Sequence, residues 1–504
     1  MRDQCHSPRR HKQLKEGVFN HSDGTAIMTK TRTGRGNLPI KIDSTSNGQF
    51  APIPLDGPAT AANRHALEKT GDDAKHAGLE RRDFLASACG AASTLLAFNA
   101  ANAAAGRTGG VYDLSGDAAH DSALADHVLG GDELIFDAQG YHGAPFRKAR
   151  AATAQDSCFA PLESQVGYLR CLGSEEFIKD VFLDSDTDMM VLSFVPSTPE
   201  GEPLTIEEAA ATREIVAKMA GSHRLMIHGR VNPNQPGDID DMARRAAFGV
   251  AAWKTYTQWG PDGKGFYLTD ADTGVPMIER ARELDTPIIA IHKGIPFGQQ
   301  SYQHSLCDDV GPAARLYPDT KFLIYHAGYI PGQPEGPYDP DRGEGVDSLI
   351  RSVLEHGNPE NVYAELGSSW RFAMRDPDDA AHLLGKLLKY LGPDQILWGT
   401  DSIWYGSPQD QIQAMRSFQI SPEFQDRYGY PEITPEIRAK IFGLNAVRAY
   451  GLDPDEVKKA VRRDAVQHAR TDYRHAPDPH FRTHGPRNRR EFLNLIRHNG
   501  GERA

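Results

Sequence analysis

Eight short apolar runs through the middle of the chain set the tightest limit on its fold. They fall at 133–137, 189–195, 224–228, 250–256, 287–292, 321–326, 361–366 and 395–402. Most are near-continuous in apolar residues rather than alternating, as expected of strands buried on both faces. Helical patterns separate many of them, at 206–219, 239–248, 275–284, 346–354, 380–391 and 409–418. Thr205, followed by Glu207 and Glu208, is a helix start with acids in the first turn. Strand and helix repeated eight times predict an α/β fold, a (β/α)8 TIM barrel over residues 130–455. A doubly wound open sheet is the alternative. No Gly-x-Gly-x-x-Gly follows the first run, so a dinucleotide site has no support. Residues 435–453 read as a last helix closing the domain.

The flanks read differently. Residues 1–79 are rich in Lys, Arg, Gly, Pro, Ser, Thr and Asp and lack hydrophobic periodicity, which predicts a disordered extension. Residues 80–105 begin Glu80-Arg81-Arg82-Asp83-Phe84-Leu85 and continue into an Ala-rich apolar stretch with an Ala-x-Ala site. That order resembles a twin-arginine secretion signal and implies a periplasmic or secreted protein. A loosely helical surface segment is the alternative. Residues 456–504 turn basic and rich in His and Pro, which predicts a solvated tail with a short helix near 492–496.

The 504 residues carry a net charge of −12, which argues against a nucleic-acid partner. No apolar run of membrane-spanning length lies in the main body, so stable membrane insertion is not expected. A small-molecule substrate fits a barrel of this size, and pairing into a homodimer is left open. The five cysteines form no Cys-x-x-Cys pair. A Cys158–Cys171 disulfide and two buried thiols are the alternatives for that pair.

Three polar groups end buried-looking runs. His292 closes the fifth, His326 closes the sixth, and Asp401 follows the eighth. In a parallel barrel all three reach one mouth, where chemistry sits. Imidazole and carboxylate suit a divalent metal, Zn²⁺ first. An Asp capping the following helix is the plain reading of Asp401, and satisfied core histidines are the plain reading of the others. Lys254 ends the fourth run and either neutralises carboxylates in the mouth or serves a metal. Glu365 ends the seventh and could support the site. His228 and Arg230 end the third and could meet a substrate carboxylate.

Five stretches carry a resemblance: 136–142, Ile291-His292, Tyr325-His326-Ala327-Gly328, Leu397-Trp398-Gly399-Thr400-Asp401 and 442–451. Together they resemble the amidohydrolase superfamily, in its amidohydrolase-related branch with the aminocarboxymuconate-semialdehyde decarboxylases. The resemblance implies a distorted barrel, a divalent metal, and hydrolysis or non-oxidative decarboxylation. It makes His292 a metal ligand, places His326 on activated water or substrate, and makes Asp401 a ligand and proton acceptor. The first strand departs from the family's Asp-x-His-x-His, with Gln139 and Tyr141 at the two His positions. His142 lies one residue later and replaces them only if the backbone bulges. The expected metal set is therefore His142, His292 and Asp401. The expected activity is metal-dependent hydrolysis of an amide, lactone or ester bond, with a decarboxylase and a metal-free binding barrel as alternatives.

Overall fold

The computed structural model describes residues 37–143, 171–297 and 301–498. Ten strands lie among them: β1 Gly110–Tyr112, β2 Phe136–Gly140, β3 Met189–Leu192, β4 Leu225–Arg230 and β5 Ala252–Tyr256, then β6 Ile288–His292, β7 Lys321–Tyr325, β8 Val362–Glu365, β9 Ile396–Leu397 and β10 Phe418–Ile420. β2 to β9 pair in chain order, each neighbour parallel. Gly140 bridges Ser402 in parallel, and the Ala138 and Asp401 amides donate to the Trp398 and Gln139 carbonyls, both at 2.9 Å. These contacts join the first strand to the end of the last, so the sheet is a barrel without an open edge. The outlying β1 and β10 form a separate antiparallel pair.

Alternate residues of a strand face opposite sides. Phe136, Ala138, Val191, Ala252, Ala290, Leu323, Tyr363 and Leu397 pack together inside the barrel, with Val447 and Tyr450 in the same cluster. Their neighbours Ile135, Met190, Ile227, Trp253, Ile289, Phe322, Val362 and Ile396 pack in the larger core with the helices. Burying each Val, Leu, Ile, Met or Phe side chain among them contributes about 1.5–3 kcal/mol. A one-residue slip would exchange the two faces, so this burial fixes the register. The same period carries Lys254, His292 and Glu365 inward at the strand ends.

The helix after β3, Ile206–Ala220, opens on a full capping box: Thr205 Oγ1 accepts from the Glu208 amide, and the Glu208 carboxylate accepts from the Thr205 amide. The expected final helix is broken instead into Pro435–Ala439, a π-turn over Lys440–Leu444, and Asn445–Ala449.

The flanks differ from the sequence reading. Of the extension expected to be disordered, residues 1–36 lie outside the described residues, but 37–79 are ordered. Ile40 and Ile42 are buried, and α1 (Gly57–His76) is capped by the Asp56 side chain. Its inward stripe is Ala59, Ala62, Ala66 and Thr70. The spacing is helical, yet alanines and a threonine give little hydrophobic contrast. The signal-like segment forms α2 (Arg81–Leu85) and α3 (Ala88–Ala104), and α3 buries Leu95 and Phe98. No helix of the described residues is long and apolar enough to cross a membrane.

The described part of the basic tail, up to residue 498, is packed, not solvated. Fully buried Arg224 forks onto Asp464, Nε to Oδ2 at 2.5 Å and Nη2 to Oδ1 at 2.9 Å. A helix spans Arg489–His498, with Phe492 and Leu495 buried. Charged tethers rather than an apolar stripe hold this region, which composition alone reads as solvation. Cys171 is in a disulfide, while its candidate partner Cys158 lies outside the described residues. Cys89 and Cys307 are free and buried.

Candidate active site

His292 ends β6 inside the barrel, and His326 follows β7. His326 adopts φ +66° and Asp401 φ +58°. Side chains rarely take this left-handed region, and each such residue costs on the order of 1–3 kcal/mol. Local bonds hold both in place. The His326 amide donates to Glu365 Oε2 at 3.3 Å, and the Asp401 amide donates to the Gln139 carbonyl.

The two rings carry a tautomer conflict. His326 Nδ1 lies 2.6 Å from the Gly367 carbonyl and His292 Nε2 lies 3.2 Å from the Ile295 carbonyl. Carbonyls only accept, so both of those nitrogens carry the proton. The remaining nitrogens, His326 Nε2 and His292 Nδ1, then face each other as lone pairs at 3.1 Å. An added proton is disfavoured. Burial holds His292 well below the usual range, helped by His326 and Lys254, and burial followed by Lys254 pushes His326 down to about 3. A cation shared between the nitrogens resolves the conflict, since two donors at Zn–N distances of about 2.0–2.1 Å can be this close.

Acids surround the pair. Asp401 Oδ2 accepts from Asn47 Nδ2 at 2.8 Å and from Ser368 Oγ at 2.6 Å. Burial raises the Asp401 carboxyl, against the lowering by Ser368, Asn47 and Lys254. Burial also pushes Asp137 up to about 7, although Thr400 and two backbone amides bond it. Burial raises Glu365 well above the usual carboxylate range, and its oxygens accept from the Gly367 and His326 amides, so it shapes the turns that present His326. Lys254 Nζ has no hydrogen-bond partner and lies 3.6 Å from the Tyr325 ring centre and 4.6 Å from that of Tyr256. Burial lowers its pKa far below the ordinary lysine value, outweighing Glu365 and Asp401.

His142 is not brought to this site. The β2–β3 register does shift between Asp137 and Gly140. Even so, the His142 ring bonds Thr212 Oγ1 and the Gly143 carbonyl, both at 3.1 Å, and packs on Phe177. Gln139 approaches Asp401 instead, and its buried Oε1 has no hydrogen-bond partner. Arg230 is not open to a substrate carboxylate. It is saturated by Glu202 at 2.6 Å and by Asp238 at 2.7 and 3.2 Å. His228 bonds Ser193 and Tyr450. Tyr141, at the family's second His position, stacks on Trp404 with ring centres 5.0 Å apart.

Asn47, Ser368 and Arg371 were not foreseen. Asn47 comes from a polar stretch without periodicity, 354 residues from its partner. Ser368 at φ +56° follows Gly367, a strained turn visible only in the backbone.

A second cluster lies on the helix Ser174–Phe182 and the tail. Asp180 bonds His480 Nε2 at 3.1 Å and His484 Nε2 at 3.0 Å. Among the described residues it is the one group of three His, Cys, Asp or Glu whose ligand atoms all lie within 4.8 Å. Asp401 therefore stands off the His292–His326 pair. The cluster has the donors for a divalent cation, but His480 Nδ1 already accepts from the Arg482 amide, which leaves the proton on Nε2 facing Asp180. It serves as a hydrogen-bonded clamp between tail and barrel. A cleft of about 600 Å³ opens beside it, with Asp180 and His480 in its walls and none of His292, His326 or Asp401.

Several solved structures are similar to this chain. The 5-carboxyvanillate decarboxylase of Sphingomonas paucimobilis shares 14% identity at a TM-score of 0.39, with 64% of this chain and 99% of that one covered. An amidohydrolase from Burkholderia multivorans shares 14% at 0.36, covering 64% and 100%. The 2,6-dihydroxybenzoate decarboxylase from Rhizobium shares 14% at 0.36, covering 63% and 98%. At this level they bear on neither substrate nor reaction. No curated protein matches the chain. The sequence profile of the family described as Amidohydrolase matches residues 179–452. That stretch exceeds half of the chain and runs from before β3 to beyond β9, so the protein belongs to the amidohydrolase family.

Proposed function

We propose that this enzyme hydrolyses an amide, lactone or ester bond in a small organic substrate with the help of a divalent metal, Zn²⁺ first among the candidates. The observation that supports this reading is the pair of imidazole lone pairs facing each other at 3.1 Å at the barrel mouth, with buried Asp401 standing off from them. His292 and His326 would hold the metal, with the orphaned amide oxygen of Gln139 close to Asp401. When bound, a divalent ion supplies Lewis acidity toward a carbonyl oxygen and acidifies water. Asp401 takes the proton of the attacking water and returns it to the leaving oxygen or nitrogen as the carbonyl–heteroatom bond breaks. Asn47 holds Oδ2 of the Asp401 carboxylate and lowers its basicity. Burial lowers Lys254 far below the ordinary lysine value, which suits its amine to exchanging a proton within the site.

A second reading, non-oxidative decarboxylation, is favoured by the raised carboxyls of Glu365 and Asp137. Asp137, pushed up to about 7, is an acid able to deliver a proton to the carbon that loses CO2. Elemental analysis of protein purified without chelator, followed by product analysis of turned-over esters, lactones and aromatic acids, tests both. Alcohol or amine release supports hydrolysis, and CO2 release replaces it with decarboxylation. Absence of any bound divalent metal overturns both. Export through the Arg81-Arg82 segment and pairing into a homodimer belong to the same proposal, tested by cell fractionation and sedimentation.

A further inference from the structure

Two arginines beside the barrel mouth lack the partners their burial demands. Arg371 lies in the helix Ser369–Ala373, and Arg375 follows one turn later, on the same face. Arg371 is fully buried, and its Nη2 donates to Asp43 Oδ1 at 3.0 Å. Its Nε and Nη1, and the Nε and Nη2 of Arg375, are buried without any hydrogen-bond partner. The four nitrogens belong to two like charges that weaken each other, and burial followed by Arg371 lowers Arg375 to about 10. One carboxylate against two guanidinium groups leaves a net positive charge and unused donors.

The pair is tied to the chemistry next to it. Arg371 lies over the Tyr405 ring, 5.4 Å from its centre. The Tyr405 hydroxyl is 2.7 Å from Ser368 Oγ, which itself donates to Asp401 at 2.6 Å. Phe372, between the two arginines in sequence, meets Phe50 edge-on and lies parallel to Tyr329. Aromatic faces and planar forks suit a flat acid. Asp43 shows the chemistry that Arg371 accepts, and it comes from the stretch that also places Asn47 on Asp401.

We propose that Arg371 and Arg375 form a subsite for a substrate carboxylate, which makes the substrate a small carboxylic acid. A carboxylate can take the idle Nε and Nη2 of Arg375 as one parallel pair, while Nε and Nη1 of Arg371, which lie on different edges of its guanidinium, each offer a single further bond. Asp43 then competes with the substrate for Arg371. The proposal rests on the barrel mouth being the catalytic centre, but its test needs no turnover.

Calorimetric titration of the full chain with benzoate, isophthalate and the matched amide benzamide reads the subsite directly. Wild type and Asp401→Asn should both bind the acids about tenfold or more tighter than benzamide. Arg375→Gln should lose that preference, and Arg375→Lys should keep only part of it. Asp43→Asn should tighten acid binding several-fold. Equal binding of acid and amide overturns the proposal, as does unchanged acid affinity in folded Arg375→Gln. Arg371→Gln is the second probe, with circular dichroism confirming its fold. Acid binding in a protein that releases neither alcohol nor amine from esters, lactones and amides upholds the subsite and rejects the hydrolase instead.

Discussion

His326 Nε2 and His292 Nδ1 face each other at 3.1 Å while the opposite nitrogen of each ring donates to a backbone carbonyl. A cation shared between the two nitrogens would satisfy both lone pairs, as the proposed function requires. Purified protein should therefore carry a divalent metal, and His292→Ala and His326→Ala should each lose it. Metal content by mass spectrometry checks this. Retention of full metal by both variants would place the ion elsewhere, with the Asp180 cluster the next site to remove.

Asp401→Asn should fold, keep most of its metal and lose turnover by about 10²–10⁴-fold, the usual contribution of a positioned general base. Unchanged turnover would remove Asp401 from its role. Asn47→Ala should act in the opposite direction by releasing the Asp401 carboxylate. A several-fold gain in kcat/KM is expected, and a loss would make Asn47 part of the working site instead.

Arg230→Met should destabilise the fold by about 3–5 kcal/mol, because buried Asp238 loses its guanidinium and keeps only the Asn232 amide, while Glu202 is left to Arg245. Its folded fraction should bind acids as wild type does. Denaturant unfolding and the benzoate titration separate this residue from Arg371 and Arg375, which the composition of the chain does not.

His142 is held at about 4 by burial, against an ordinary value of 6.5. The unfolded chain therefore binds more protons than the folded one between those two values. The contribution of His142 to stability is full above the ordinary value and falls as pH drops toward 4, by about 3 kcal/mol in all. Buried Asp137 acts in the opposite sense, so the comparison must be between variants. His142→Gln should flatten the acid limb of the stability curve without changing metal content.

The barrel was legible because its strands are buried on both faces and so read as apolar runs. The expected 321–326 and 287–292 match Lys321–Tyr325 and Ile288–His292 to within a residue at either end. His292, His326, Lys254 and Glu365 were found because inward-facing polar groups at strand ends stand out against Ala and Ile. His142 misled because a strand's period says nothing once the strand has ended, and Thr212 claims the ring. Asn47, Asp43 and Arg371 gave no signal. They act through hydrogen bonds between distant polar residues, and a polar stretch that packs by such bonds has the composition of one that does not pack.

The two ends of the described chain meet over the mouth. Thr45 bonds Thr483 at 2.7 Å, and the Ser46 amide donates to the Pro486 carbonyl at 2.9 Å. Each strap is buckled to the other as well as to the barrel, so cutting either one loosens both.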